Sequence, residues 1–346
     1  MKKSKNKHVF FFFQDESDKD IYSRPLIKRF VSLDFLGTNE INITNKIKTN
    51  LPQLWDKHFY LFDAIENMKL GALADDVYHL QSFKELKDDE SALTWYKSLN
   101  LVYMEGYLRS LSCSRKYILF FLNFYQRLLK NIDLLVTNQV VHNNIGLKSI
   151  VIDSNGEIPI LTNFRFGLDT SSKSHLSKFF IQYSPERLQW PLEIHLLCYL
   201  QTNKLDGLSF HNIELVVKSA INENHYLKTF GQKIVDEYLE SGLTYFSKYV
   251  NKSMDWIVDD MLQYAATWDN YALSIAYLKI VIDLYNNISK NKGKKSKFLI
   301  QFMRLLVGNI HSNPLKRISV KDTTNKFAIL MDECCLDELY LLVVHL

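Results

Sequence analysis

Apolar residues follow different patterns in the two parts of this chain. Before about residue 110, short apolar runs of strand length are interrupted by one helical pattern at residues 39–51. The predicted strands are residues 8–13, 25–33, 58–65 and 98–108. The first third is therefore predicted to form a small sheet with one helix.

The remainder of the chain has mainly helical spacing. Residues 116–138 repeat apolar side chains at intervals of three and four, which predicts a helix with one broad buried face. Two strand candidates follow, residues 148–153 and 158–164, and the Asn-Gly pair between them is a strong hairpin signal. From Glu193 onward the pattern is almost entirely helical.

Composition narrows the class of protein. The 346 residues are 47% hydrophobic, enough for a substantial core. Lys and Arg number 42 against 38 Asp and Glu, and this net charge of +4 is too small to indicate nucleic acid or membrane as the main partner. Four irregularly spaced cysteines indicate neither a disulfide framework nor a zinc site. No apolar run approaches the roughly twenty residues that span a bilayer, so we expect a cytoplasmic protein.

Polar residues lie at both ends of the predicted hairpin. Residues 142–144 read His-Asn-Asn, Ser149 stands just before the first strand, and residues 163–165 read Asn-Phe-Arg after the second. Protein kinases have His-Arg-Asp, an Asn five residues after that Asp, and then Asp-Phe-Gly. The spacing here is the same, although the residues that carry the chemistry differ.

Later segments keep the order of further kinase motifs. Residues 268–278, WDNYALSIAYL, resemble the helix opening Asp-x-Tyr-Ala/Ser-Leu-Gly, and residues 313–319, NPLKRIS, resemble Asp-Pro-x-x-Arg. Glu193 and Glu186 are both candidates for the Ala-Pro-Glu element, and we prefer Glu193. The sequence thus resembles the protein kinase superfamily, and more narrowly the divergent kinase-like proteins of giant DNA viruses.

The resemblance implies an α+β, bilobal, protein-kinase-like fold. Its β-rich N-lobe would comprise residues 1–106, in reduced form, since no glycine precedes Lys28 and the glycine-rich loop over the nucleotide phosphates is missing. The helical C-lobe would comprise residues 107–346. An insertion at about residues 194–267 contains three amphipathic patterns, which either extend the core or dock a protein partner.

The family residues that remain are architectural ones. By resemblance, Asp269 accepts hydrogen bonds from the backbone of the catalytic loop, and Glu193 forms a buried ion pair with Arg317. His142 belongs to the same group. These residues are expected to hold the C-lobe together.

The family residues that perform catalysis are replaced. Asn144 stands at the position of the proton acceptor, and an amide has no useful basicity at neutral pH. Ser149 and Asn163 stand at metal positions with neutral oxygens, whereas Mg²⁺ is usually held by carboxylates. Asp153 and Asp169 would substitute only if the chain bends towards the site. We expect no metal site.

Four further residues bear on nucleotide binding. Lys28 resembles the strand lysine that binds the α and β phosphates, with Glu40 as its helix partner; the alternative is a solvated lysine on a strand edge. The stretch around Met104 resembles the hinge that meets adenine, or else an edge strand with a turn. Arg165 replaces a glycine, and we expect it to pair with an acid of the C-lobe rather than to replace a metal. Binding of ATP without a metal stays open.

Three functions are compatible with these observations. We prefer a pseudokinase that acts as a regulatory or scaffolding module and binds a protein partner, in the host cytoplasm or the virion if the source is viral. The alternatives are a weakly active or atypical ATP-dependent serine/threonine protein kinase, and a helical structural protein unrelated to kinases.

Overall fold

The chain forms a mixed α+β structure that is mostly helical, with small antiparallel sheets. The α+β class expected from the sequence is therefore confirmed. The computed structural model describes residues 13–14, 26–32, 34–68, 91–97, 101–111, 116–153, 158–172, 180, 182–292 and 296–333.

The first sheet is built from the N-terminal part of the chain and has the strand order β1-β2-β4-β3, all antiparallel. Along the sequence, helices α1 and α2 lie between β2 and β3. Asp34 caps α1 by accepting a hydrogen bond from the Gly37 N–H at 2.7 Å. The elements are β1 (Phe13–Gln14), β2 (Leu26–Ser32), α1 (Phe35–Asn50), α2 (Trp55–His58), β3 (Ala64–Met68) and β4 (Ser91–Lys97).

The strand predicted over residues 58–65 is confirmed only at its end, where β3 begins at Ala64. Helix α2 occupies its start, and Phe59 forms an isolated bridge to Leu161 rather than a rung of the first sheet. The Tyr60 N–H donates to the Leu161 carbonyl at 2.8 Å. These apolar residues are buried by contacts with distant parts of the chain, and such contacts leave no regular spacing of apolar residues in the sequence. Of the strand predicted over residues 8–13, only Phe13 lies within the described residues.

The predicted long helix and the two antiparallel strands of the predicted hairpin are confirmed in the middle of the chain, and the turn between these strands lies outside the described residues. A second antiparallel sheet has the order β5-β7-β8, and a separate pair joins β6 to β9. The elements are β5 (Leu101–Tyr103), α3 (Met104–Leu111), α4 (Lys116–Thr137), β6 (Val140–Val141), β7 (Ile150–Asp153), β8 (Ile158–Leu161), a 3-10 turn (Phe164–Phe166) and β9 (Leu168–Asp169).

The remaining described residues are helical, as their apolar spacing predicts. Among the described residues, no helix is both long enough and apolar enough to cross a membrane. The helices are α5 (Leu192–Thr202), α6 (Phe210–Glu223), α7 (His225–Lys228), α8 (Gln232–Phe246), α9 (Met254–Leu262), α10 (Trp268–Lys292), α11 (Lys297–Asn309) and α12 (Val320–Glu333).

Buried apolar residues form two clusters. The larger joins α4, α10, α11 and α12 to the hairpin and α1, and at its centre the ring of Tyr125 contacts the rings of Tyr277, Phe302 and Phe327. The second joins α5 to helices α6, α8 and α9. Residues 194–267, where an insertion is expected, contribute most of this second cluster.

A buried ion pair connects α5 to the segment before α12. Both nitrogens at the end of the Arg317 guanidinium lie 2.6 Å from the Glu193 carboxylate oxygens, and neither side chain is exposed. The Trp268 indole also donates to Glu193 at 3.2 Å, and Arg317 Nε donates to the His311 carbonyl at 2.8 Å. Burial alone would lower the pKa of Arg317, but Glu193 outweighs this effect and raises it. Glu193, rather than Glu186, has this geometry.

We expect Arg317→Met to lower the free energy of unfolding by about 3–5 kcal/mol, because it leaves the Glu193 carboxylate buried without a counter-charge. Urea denaturation measures this loss. The double variant Glu193→Gln/Arg317→Met should regain part of it, because the uncompensated charge is then gone.

The exposed pair between Lys218 and Glu214, 2.7 Å apart on α6, provides the control. Lys218→Met should change the free energy of unfolding by less than about 0.5 kcal/mol, since surface pairs contribute little. Equal losses for Arg317→Met and Lys218→Met would contradict the argument.

Candidate functional site

One carboxylate holds the loop that follows β6. Asp269, the second residue of α10, is 1% exposed. Its Oδ2 accepts the His142 backbone N–H at 2.6 Å, and its Oδ1 accepts the Asn143 backbone N–H at 2.9 Å. Burial raises the pKa of Asp269 to about 7, against the opposing effect of these two donors. The loop backbone is thereby anchored to α10, in which residues 268–278 are all buried.

The His142 ring links this loop to the end of the hairpin. Its Nε2 lies 2.9 Å from the Thr162 carbonyl, which only accepts, so Nε2 carries the proton. Its Nδ1 then accepts the Asn144 backbone N–H at 3.3 Å. The ring packs against Phe164 with centroids 4.6 Å apart, and burial lowers the pKa of His142 to about 4. His142 is therefore a neutral structural connector.

Asn143 and Asn163 adopt left-handed backbone conformations, with φ of 58° and 68°. Asparagine is among the few residues with a side chain that tolerate this region. Both Oδ1 atoms are buried, and neither has a hydrogen-bond partner within the described part of the chain. The Trp190 indole N–H donates to the Asn143 carbonyl at 3.1 Å and fixes this turn from the side of α5.

Ser149 closes the loop rather than facing a metal. Its hydroxyl accepts the Gly146 N–H at 2.9 Å and lies within donating distance, 2.9 Å, of the Asn144 carbonyl. The side chain is buried, with 2% of the residue exposed. The Asn144 residue is half-buried, and its side-chain amide has no hydrogen bond to any described residue. The loop thus presents an uncharged, weakly basic group at residue 144.

Helix α1 docks on the turn after Asn163. The Asn39 amide donates to the carbonyls of Arg165 at 3.0 Å and Gly167 at 2.8 Å. A Cβ on Gly167 would lie 3.1 Å from Ile43 Cγ2, so glycine permits this close approach. The helix and the turn are therefore held together over a contact that a larger side chain at residue 167 would disturb.

The prediction that Arg165 pairs with an acid of the C-lobe is wrong. Its Nη2 lies 3.7 Å from Oδ2 of Asp34, the N-cap of α1, in the predicted N-lobe. The docking of α1 on the turn brings these two residues together. Arg165 Nε is buried and has no hydrogen-bond partner among the described residues. Among the described residues, the charge of this half-buried arginine is thus only partly compensated, by the Asp34 carboxylate.

Neither of the two nearby acids occupies the place of Asn144 or Asn163. Asp169 bonds Lys46 of α1 and the Ser171 backbone N–H. Partial burial would raise the pKa of Asp169, but these bonds outweigh it and lower the pKa. Asp153 lies at the turn end of β7, opposite Ile158 and away from Asn163. Among the described residues, no group of three His, Cys, Asp or Glu could hold a metal.

The proposed nucleotide residues lie on separate elements. Lys28 is a central residue of β2, and Glu40 is 4% exposed on α1, which contacts that strand. The Lys28 side chain lies outside the described residues, so its pairing with Glu40 stays a prediction. Met104 is buried at the start of α3, directly after the edge strand β5, so a helix follows that strand rather than a turn. The contact of this stretch with adenine stays a prediction.

Sequence reasoning missed several residues that shape this site: Asp34, Asn39, Thr162 and Trp190. Each acts through a backbone group or at long range, and none belongs to a recognisable spacing.

Comparison of the sequence with models of known protein families and with curated proteins gives no match.

The clamp at Asp269 predicts a pH dependence of stability. Its folded pKa of about 7 lies above the ordinary value of 3.8, so the folded state holds an extra proton between these two pH values. The stability that Asp269 contributes therefore falls as pH rises from about 4 to 7 and is level above 7. The slope approaches about 1.4 kcal/mol per pH unit at most.

Urea denaturation of the wild type and of Asp269→Asn at several pH values isolates this contribution. We expect the free energy of unfolding of the wild type, minus that of the variant, to decrease from pH 4 to pH 7. An increase would mean that the two N–H donors outweigh burial and that the clamp is a stable anion.

Proposed function

We propose that this protein has a protein-kinase-like fold with degenerate catalytic groups and acts as a regulatory or scaffolding module, a pseudokinase. One observation carries the proposal. The Asp269 carboxylate and the His142 ring hold the loop and the hairpin end in a defined arrangement, while amides stand at residues 144 and 163 where phosphoryl transfer needs carboxylates.

The order of elements supports the kinase-like part of the proposal. An antiparallel sheet carries an inserted helix, α1; a long helix, the clamped loop and a hairpin follow; and α1 docks on the turn after that hairpin. The buried pair between Glu193 and Arg317 adds a contact expected from the same resemblance. Fold alone does not determine function, so the activity depends on the side chains at the site.

The chemistry of the site supports the absence of phosphoryl transfer. The Asn144 amide does not accept the proton of an attacking hydroxyl. The Ser149 hydroxyl is bonded within its own loop, and Asn163 offers one neutral oxygen, a poor ligand set for a hard cation such as Mg²⁺. Asp169 is paired with Lys46, so nothing in the described residues favours an atypical kinase with a displaced acid.

The role that remains is binding. The predicted insertion extends the core and also presents large apolar side chains at its surface: Phe210 is 49% exposed and Trp256 is 43% exposed. A protein partner would bury such residues favourably. Metal-free ATP binding is compatible with this role, because Arg165 brings a partly compensated cation to the turn after Asn163.

Radiolabelled ATP with Mg²⁺ or Mn²⁺ tests the proposal directly. We expect no incorporation of phosphate into the protein or into a general acceptor such as casein, and no change with Lys28→Met. An active serine/threonine kinase assayed in parallel sets the detection limit. Incorporation that Lys28→Met abolishes would overturn the proposal in favour of an atypical kinase.

The same preparations serve for thermal-shift titration with ATP, because a ligand that binds the native state raises Tm. We expect Mg²⁺ to leave any ATP-induced rise unchanged. A rise without metal indicates a nucleotide-gated module, and no rise under any condition indicates a module that binds protein only. A rise that requires Mg²⁺ would contradict the absence of a metal site.

A further inference from the structure

A tight turn sets Arg187 beside Trp190 before α5 begins. The Arg187 N–H donates to the Ser184 carbonyl at 3.1 Å, and the Trp190 N–H donates to the Arg187 carbonyl at 3.0 Å. The guanidinium carbon lies 4.5 Å from the centre of the Trp190 ring and 5.4 Å from that of Phe166. Two aromatic rings therefore orient this side chain, and Phe166 belongs to the turn after Asn163.

The charge of Arg187 is not matched by an acid. Within the described residues, no carboxylate lies within 4.0 Å of its guanidinium, and no hydrogen-bond acceptor meets its side-chain donors. Glu186, its neighbour in sequence, accepts a bond from the Ser184 hydroxyl instead. Burial lowers the pKa of Arg187, and the nearby Cys198 and Glu186 only partly oppose that effect. Arg317, by contrast, is fully matched by Glu193.

The surroundings of Arg187 are rigid. Trp190 is 5% exposed and is tied to the loop by its bond to the Asn143 carbonyl at 3.1 Å. His195, whose ring centre lies 6.1 Å from that of Trp190, is neutral because burial lowers its pKa to about 4. A guanidinium held in this way loses little conformational entropy when it binds an anion.

We propose that Arg187 is the recognition residue of a site for phosphate monoesters, and that the partner of this module carries a phosphorylated serine or threonine. The inference rests on the proposed function, since it assigns a partner class to a module that does not transfer phosphate. The planar fork of a guanidinium binds two phosphate oxygens at once, and a phosphate near charge −2 compensates a half-buried cation better than a single carboxylate does.

Isothermal titration calorimetry at low ionic strength tests the site, without ATP. The probes are a capped peptide with one phosphoserine, the same peptide with glutamate at that position, the unphosphorylated peptide and inorganic phosphate. We expect saturable binding of the phosphopeptide, and weakening by about tenfold or more in Arg187→Gln, the effect of losing a charge-assisted hydrogen-bond pair. Arg187→Lys keeps the charge but not the fork, and should weaken binding less.

Arg304→Gln, which removes an exposed arginine of α11, is the matched control and should bind as the wild type does. Unchanged Tm in each variant confirms that the fold is intact. Binding of inorganic phosphate alone would reduce the site to a free-anion site, and equal binding of the glutamate peptide would make it a carboxylate site; either result overturns the phosphopeptide assignment.

Equal affinity in Arg187→Gln and the wild type would also overturn it. Such a failure leaves the pseudokinase proposal intact, because that proposal depends on phosphate incorporation and not on anion binding. Conversely, incorporation of phosphate from ATP would overturn the pseudokinase proposal. The calorimetric titration would still show whether Arg187 binds the phosphopeptide.

Discussion

Two hydrogen bonds from backbone N–H groups to the Asp269 carboxylate constrain the centre of this molecule. Buried N–H groups need acceptors, and the carboxylate meets this need for consecutive residues of the loop. The His142 ring carries the constraint to the hairpin end, and Ser149 closes the loop from within. None of these contacts depends on the side chain at residue 144. The arrangement of this loop therefore does not require a particular side chain at residue 144.

Two arginines illustrate how differently one side chain can be used. Arg317 is enclosed, and the Glu193 carboxylate, the His311 carbonyl and the Thr267 hydroxyl satisfy its donors. Such a pair specifies which segments meet and is costly to break, but it is unavailable to a ligand. Arg187 is oriented by rings alone, which hold a cation without satisfying its donors. The first arrangement serves the fold, and the second suits recognition.

Local patterns predicted most of the fold, because long helices and a turn-marked hairpin leave periodic signals. Helix α4 and the strands β7 and β8 are examples. Most of the strand predicted at residues 58–65 is not formed, because Phe59 bridges to Leu161 of the hairpin, a contact that residue spacing does not reveal. The site was predictable where motif spacing carried it, as for Asp269. The partner of Arg165 was not predictable from the sequence. Asp34 lies more than one hundred residues before Arg165 and comes close to it only because α1 docks on the turn.

The pair between Glu193 and Arg317 joins positions separated by 124 residues. This separation along the chain affects when the pair forms during folding. Contacts between remote segments form late, after the entropy of closing the intervening loop has been overcome. A pair that forms after the folding transition state acts mainly by slowing unfolding, and we expect this of Glu193 and Arg317. A nascent chain that ends before Arg317 holds the Glu193 carboxylate without its counter-ion, so α5 reaches its final environment only after residue 317 has been added.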